Sequence, residues 1–402
     1  MRIEAVDFFY LAMPEIRDIG DGSQDMLLVR VAAGGLVGWG ECEASPLTSI
    51  ASLICPMSHS ACKPVRASVL GQELRDPDDI ARISRTVRRD SLDLLQASHT
   101  LSGIEIAMWD LLGQHLQTPV YQLLGYERPY PKLAYASALF GDTPQETYDK
   151  AKAVAGRGFR AAKFGWGGYG KGSVAEDAEQ VRAARAGLGP ELMLFVDAGT
   201  VWGEDVEAAA LRLPALEECG VGWLEEPFVS GAFESYRQLA ARGRVGLAAG
   251  EGAHEVNMAR HLVDYAGIGH VQVDAGRIGG IGPSAQVAKY AAERGVQFVN
   301  HTFTSHLALA ASLQSFAGIQ SAGLCEYPVE ASELARALTA EQIRPDDAGE
   351  IRLPERPGVG VSVEVEAVRK YLVDVEIRVG DQILYRTPEL AAEQTAATKV
   401  AR

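Results

Sequence analysis

From residue 132 onward the chain repeats one unit. Short apolar runs alternate with segments of helical period: "KLAYASALF", "GFRAAKFG", "LMLFVDAG", "VGWLEEP", "VGLAAGEG", "HVQVDAG", "VQFVNHT" and "LCEYPV" are the runs. Stretches between them, such as "PQETYDKAKAVAGR" and "AEDAEQVRAARAGLG", have helical composition and spacing. Eight such units over about 200 residues predict an α/β chain closed into a (β/α)8 TIM-type barrel. An open doubly wound sheet fits less well, because no strand leads into G-x-G-x-x-G at a helix start.

The first third is organised differently. "RIEAVDFFYLAM" and "DMLLVRVAAGGLVGWGECEA" read as strands, with "AGG" as a hairpin turn. A Ser- and Pro-rich loop is expected over "SPLTSIASLICPMSHS", then helices over "DPDDIARISRTVRR" and "SGIEIAMWDLLGQHL". The expected division is an α+β capping domain over 1–128, the barrel over 129–340, and a C-terminal return onto the cap over 341–402. The tail "GVGVSVEVEAVRKYLVDVEIRVGDQILYRTP" alternates like strands, and the last dozen residues are expected to fray.

In a TIM barrel the chemistry gathers at the C-terminal ends of the strands. Those ends carry Lys163, Asp197, Glu225, Glu251, Asp274, His301 and Glu326. From Asp197 on, each residue lies one βα unit after the last, so all should converge on one mouth. Asp197, Glu225 and Glu251 end three consecutive strands. Three like charges in a low-dielectric mouth repel unless a cation holds them. Hard oxygen ligands with room for water and substrate suit Mg²⁺. Strand alternation lets one of Glu225 and Glu226 face the axis; Glu225 is taken as the ligand and Glu226 as its support. Asp274 precedes His301 by one unit and can fix its tautomer and raise its basicity. His306 is read as structural. Glu326 is either a capping acid or a hydrogen-bond donor to substrate.

The formal net charge of −15 argues against nucleic acid or an anionic membrane as partner. No apolar run approaches the length of a membrane span, and no secretory leader is expected at the N-terminus. Five scattered cysteines favour reduced thiols and a cytoplasmic location.

These residues, in this order, carry a family resemblance. With "SGIEIAMWDLLGQHLQTPVYQLLG", "VDAG", "LEEP", "GEG", "DAGRIGG" and "PGVGVSVE", the chain resembles the enolase superfamily in its mandelate racemase subgroup over nearly its whole length. The resemblance implies that Asp197, Glu225 and Glu251 bind Mg²⁺, that Asp274 and His301 form a dyad, and that Glu326 stabilises an enolate. It implies a small carboxylate substrate, a homo-oligomer, and specificity from the capping loops, where Arg17, Thr48 and His59 are candidates. The family's strand motif K-x-K stands here as Lys163-Phe164-Gly165. Lys163 matches the first lysine, expected to neutralise the substrate carboxylate; the second, a base on the opposite face, is missing.

With one dyad and no second lysine, an acid-sugar (aldonate or aldarate) dehydratase is expected. His301 takes the α-proton and returns it to the departing β-hydroxyl. A racemase, epimerase or cycloisomerase on the same scaffold, or a barrel that only binds, are the alternatives. Lys171, in the loop with Trp166 and Tyr169, is the residue that could supply a second base.

Overall fold

The computed structural model describes residues 1–390; the tail expected to fray lies outside the described residues. Strands β1 (Ile3–Ala12), β2 (Asp25–Ala33) and β3 (Leu36–Cys42) form an antiparallel meander. Its second hairpin turns on Gly34 and Gly35, both at positive φ, which glycine adopts without strain. Helix Ala97–Leu116 packs flat on β3. The approach is so close that a Cβ on Gly38 or Gly40 would lie 2.1 Å from a helix carbonyl oxygen.

Eight strands follow: β4 (Lys132–Leu139), β5 (Ala161–Gly165), β6 (Met193–Asp197), β7 (Val221–Glu225), β8 (Gly246–Ala249), β9 (His270–Val273), β10 (Gln297–Asn300) and β11 (Leu324–Pro328). All are parallel, in the order β10-β9-β8-β7-β6-β5-β4-β11. This is the curled α/β sheet of a (β/α)8-type barrel. A side chain clips its two ends together: Asn300 donates to the Glu326 carbonyl at 3.3 Å and accepts from the Glu326 N–H at 3.0 Å.

Alternation along the strands stacks the barrel interior in layers. Tyr135, Ala161, Phe195, Trp223, Ala248 and Val299 form a buried plug. Phe195 and Trp223 stack with ring centroids 3.5 Å apart, and Tyr135 meets both edge-on at 5.5 Å. Two residues further along the same strands stand Ser137, Lys163, Asp197 and Glu225. The aromatic plug is thus the floor on which the charged layer rests.

Two local expectations need correction. The Ser- and Pro-rich stretch contains helix Pro46–Ile54, which buries Ile50 and Leu53. Pro46 opens that helix, and the apolar positions three apart outweigh the loop-like composition. In the tail, Val365–Tyr371 is helical and buries Val368 and Tyr371. Only after it do β13 (Glu376–Val379) and β14 (Gln382–Arg386) pair as a hairpin; a two-residue strand, β12 (Glu350–Ile351), lies antiparallel to β4. The tail returns to the meander, where Val373 N–H donates to Tyr10 O at 2.8 Å and the Tyr385 hydroxyl donates to Phe8 O.

Glu105, on the long helix of the cap, joins cap to barrel. It accepts from Ile281 N–H at 2.7 Å, Gly282 N–H at 2.9 Å and Trp109 Nε1 at 2.8 Å. Its carboxylate thus closes the N-terminus of barrel helix Ile281–Glu293. No helix among the described residues is long and apolar enough to cross a membrane.

Candidate active site

Asp197 and Glu225 end β6 and β7 in register, and Glu251 follows β8. Each offers an oxygen within 4.8 Å of the others, and all three side chains are buried. Lys163 Nζ stands among them. It bonds Glu225 Oε1, lies 2.8 Å from Glu326 Oε1 and 3.4 Å from Asp197 Oδ2. Trp223 Nε1 donates to the other Glu225 oxygen at 3.1 Å. Burial pushes the Glu225 carboxyl well up; Lys163 opposes this, and Asp197 and the other acids add to it. For Lys163 burial works downward, but Glu225 and Glu326 hold the ammonium well above its ordinary value. Glu226, the next residue, has a strained φ of 39°. Its Oε1 is buried without a hydrogen-bond partner, and burial beside Glu251 and Asp197 lifts its carboxyl to about 8.

Four strands round the barrel from β5, at the opposite wall, β9 leads into Asp274. Its Oδ2 lies 2.7 Å from His301 Nδ1, and its Oδ1 accepts from Gly276 N–H at 2.5 Å. Burial would raise the Asp274 carboxyl, but the His301 hydrogen bond and charge hold it at about 2. Burial likewise works against His301 charge, yet Glu251, Glu43 and Glu326 raise the imidazole well above its ordinary value. His301 Nε2 faces Glu251 Oε2 at 3.3 Å. The ring therefore spans from its orienting acid to the carboxylate cluster.

Glu326 sits at the wall between the two groups. Its Oε1 accepts from Ser137 Oγ at 2.8 Å and its Oε2 from Thr302 N–H at 2.7 Å. Both oxygens are already acceptors, so donating to an enolate requires a proton on the carboxyl as well as an exchange of partners.

Sequence reasoning missed Glu43 and Arg277. Arg277 joins Glu43 at 2.6 Å to Glu251 at 3.1 Å, tying cap to barrel beside the dyad. Glu43 Oε2 lies 3.8 Å from His301 Nδ1. Arg277 was visible, three residues past Asp274 in "DAGRIGG"; Glu43, from the end of β3, carried no such spacing signal.

The capping loop does reach the mouth, but through Ile19, Gly20, Asp21 and Gly22, which line a cavity with the site residues. The specific candidates are not brought there. Among the described residues that line the cavity, Arg17, Thr48, His59 and Lys171 do not appear. Thr48 Oγ1 donates to Ser45 O at 2.8 Å, and His59 pairs with Asp93 at 3.0 Å on the surface. Lys171 is exposed in its loop. Trp166 lines the cavity, whereas Tyr169 is buried against Phe140, with centroids 5.0 Å apart. His306 opens helix His306–Phe316 and accepts from Ile343 N–H at 3.2 Å, a structural role.

Known proteins share this fold. Residues 146–368 match the family model "Enolase C-terminal domain-like", and residues 19–125 match "Mandelate racemase / muconate lactonizing enzyme, N-terminal domain". A D-galactarolactone cycloisomerase of Agrobacterium fabrum is 27% identical, over 84% of this chain and 88% of that enzyme. An L-talarate/galactarate dehydratase of Salmonella typhimurium is 28% identical, over 77% of this chain and 75% of that enzyme. A crystal structure described as a "predicted Mandelate racemase from Rhodobacter sphaeroides" superposes with a TM-score of 0.92 at 59% identity, covering 96% of this chain and 100% of that one.

Proposed function

Because the chain belongs to the enolase superfamily, in its mandelate racemase subgroup, we propose that it is a Mg²⁺-dependent acid-sugar dehydratase. It would remove the proton α to a carboxylate, expel the β-hydroxyl and release a 2-keto-3-deoxy acid. One observation carries this reading: the chemistry is one-sided. Asp274 and His301 occupy one wall of the mouth, and the opposite wall offers Lys163, already held by acids, and then Gly165. Sugar-acid dehydratases occur among the relatives, which supports a hydro-lyase over a two-base racemase.

Asp197, Glu225 and Glu251 would hold the ion. The charge of the site supports this, since burial and mutual repulsion push Asp197 and Glu225 above the ordinary carboxylate range despite Lys163. When bound, Mg²⁺ supplies positive charge to the reacting carboxylate and so acidifies the α C–H. The rest falls to the chain's own groups. Asp274 accepts a hydrogen bond from Nδ1–H and turns Nε2 toward the mouth, where it acts as base in the neutral ring. His301 takes the α-proton there. As imidazolium it returns that proton to the β-hydroxyl, which leaves as water on the same face. Lys163, and Glu326 in its protonated form after an exchange of partners, hydrogen-bond the substrate carboxylate as charge builds on it. The reading assigns 129–340, to which β12 adds, to catalysis, and 1–128 with the described residues 352–390 to the cap.

The test is a panel of sugar acids assayed with Mg²⁺ for 2-keto-3-deoxy product. A lactone or an epimer as sole product would replace dehydration by the second reading, cycloisomerisation or epimerisation, which the cycloisomerase relative favours. No turnover, together with no Mg²⁺ binding by calorimetry, would leave a binding protein.

A further inference from the structure

The cavity over the site encloses about 250 Å³, and its charges are unevenly placed. Among the described residues that line it, the Lys and Arg side chains are Lys163 and Arg277. Neither is free. Lys163 is taken up by Glu225 and Glu326, and Arg277 is clamped between Glu43 and Glu251 at 2.6 and 3.1 Å. Both also belong to the reacting end, where Asp197, Glu251 and His301 stand.

The far end is built from the capping loop and the residues it touches. A Cβ on Gly20 would lie 2.9 Å from Trp166 Cγ, and one on Gly22 would lie 3.8 Å from Phe303 O. Ile19 and Trp166 remain 44% and 43% exposed, so apolar surface faces whatever fills the cavity. The charged lining residue of the loop is an acid, Asp21, whose Oδ1 accepts from Ser23 N–H and Oγ at 2.8 and 2.6 Å. Glu43, the other acid of the lining outside the reacting layer, is turned toward that layer: Oε1 holds Arg277, and Oε2 is buried 3.8 Å from His301 Nδ1.

From this charge distribution we infer that the substrate carries one carboxylate and an uncharged, hydroxyl-bearing far end: an aldonate-type acid rather than an aldarate. The inference rests on the acid-sugar reading above and narrows it. A second carboxylate at the far end would meet Asp21, Ile19 and Trp166, with no free cation among the described lining residues to compensate its lost hydration. A hydroxyl suits the same surface. It can donate to the Asp21 carboxylate, while the ring of Trp166 packs against the C–H face of the carbon chain.

The experiment uses the full chain with Mg²⁺. Calorimetry on His301→Asn compares binding within matched pairs: gluconate and glucarate, galactonate and galactarate, mannonate and mannarate. The tightest ligand should be an aldonate, about tenfold or more above its diacid partner, a margin that electrostatic rejection of the wrong ligand readily supplies. Ile19→Arg, which adds a cation at the exposed rim, should raise the ratio of diacid to aldonate affinity by about tenfold. An aldarate that binds as tightly as the best aldonate overturns the inference, as does binding by no aldonate. The wild-type assay separates the two readings. An aldarate converted fastest to a 2-keto-3-deoxy acid overturns the inference and leaves dehydration standing. Tight aldonate binding without that product does the reverse.

Discussion

Gly165 stands directly against Asp197: a Cβ on the glycine would lie 2.6 Å from Asp197 Cβ and 3.1 Å from its Oδ2. The two are paired in register on neighbouring strands, so neither can swing away without bending the sheet. Where K-x-K would place a lysine, this chain places a proposed metal ligand hard against a bare backbone. Gly165→Ala should therefore weaken Mg²⁺ binding, by about tenfold to a hundredfold, the range for disturbed support of a ligand. Calorimetry checks this, and unchanged affinity would mean that Asp197 yields freely. Gly165→Lys should lose metal binding rather than gain racemase activity.

His301→Asn should lower turnover by about two to four orders of magnitude, the usual worth of a positioned general base. It should also abolish exchange of the α-proton in D₂O while Mg²⁺ still binds. Full turnover by the variant would remove His301 from the proposed chemistry.

Chelation should abolish activity and lower the melting temperature while the fold persists. Asp197, Glu225 and Glu251 are crowded, and an ion that binds only the folded chain adds about 2.7 kcal/mol at a hundredfold excess over its dissociation constant. Thermal scans with EDTA, then with Mg²⁺ restored, measure the shift. A melting temperature indifferent to Mg²⁺ would contradict the assignment.

Asn300→Leu should destabilise the barrel by about 1–3 kcal/mol, because it strands the Glu326 N–H and carbonyl in the interior. The effect should appear in denaturant unfolding. Loss of activity without loss of stability would mean that the clip serves the site rather than the closure.

Lys132 gives a pH signature away from the site. Its Nζ donates to Ile319 O at 2.8 Å, and burial pulls its pKa from the ordinary 10.5 down to about 8. The folded chain thus disfavours the charged form. The penalty is complete below about pH 8 and fades as pH rises toward 10.5, where the unfolded chain also loses the proton. Lys132→Met removes that dependence. The stability difference, variant minus wild type, should fall steadily between pH 8 and 10.5. A flat difference would show that the ammonium is not penalised.

The strand-end residues were legible because a βα repeat is periodic and a barrel sends every strand end to one mouth. Lys163, Asp197, Glu225, Glu251, Asp274, His301 and Glu326 do meet there. The capping residues were less legible. The loop that covers the mouth was identified, but Ile19 and Asp21 face the cavity while Arg17 does not. Polar composition is alike across such loops, and it carries no period to say which side chain turns inward. Helix Pro46–Ile54 was hidden for the same reason, behind Ser and Pro.

The order of strands and helices, the spacing of the acids and the missing second lysine are properties of the chain as written, because each is local or repeats with the fold's own period. The clamp of Arg277 between Glu43 and Glu251, the press of Gly165 on Asp197 and the acid-lined far end of the cavity are not. They depend on contacts between residues as much as 234 positions apart. Packing to within an ångström sets such contacts, and only the assembled cap and barrel determine that packing.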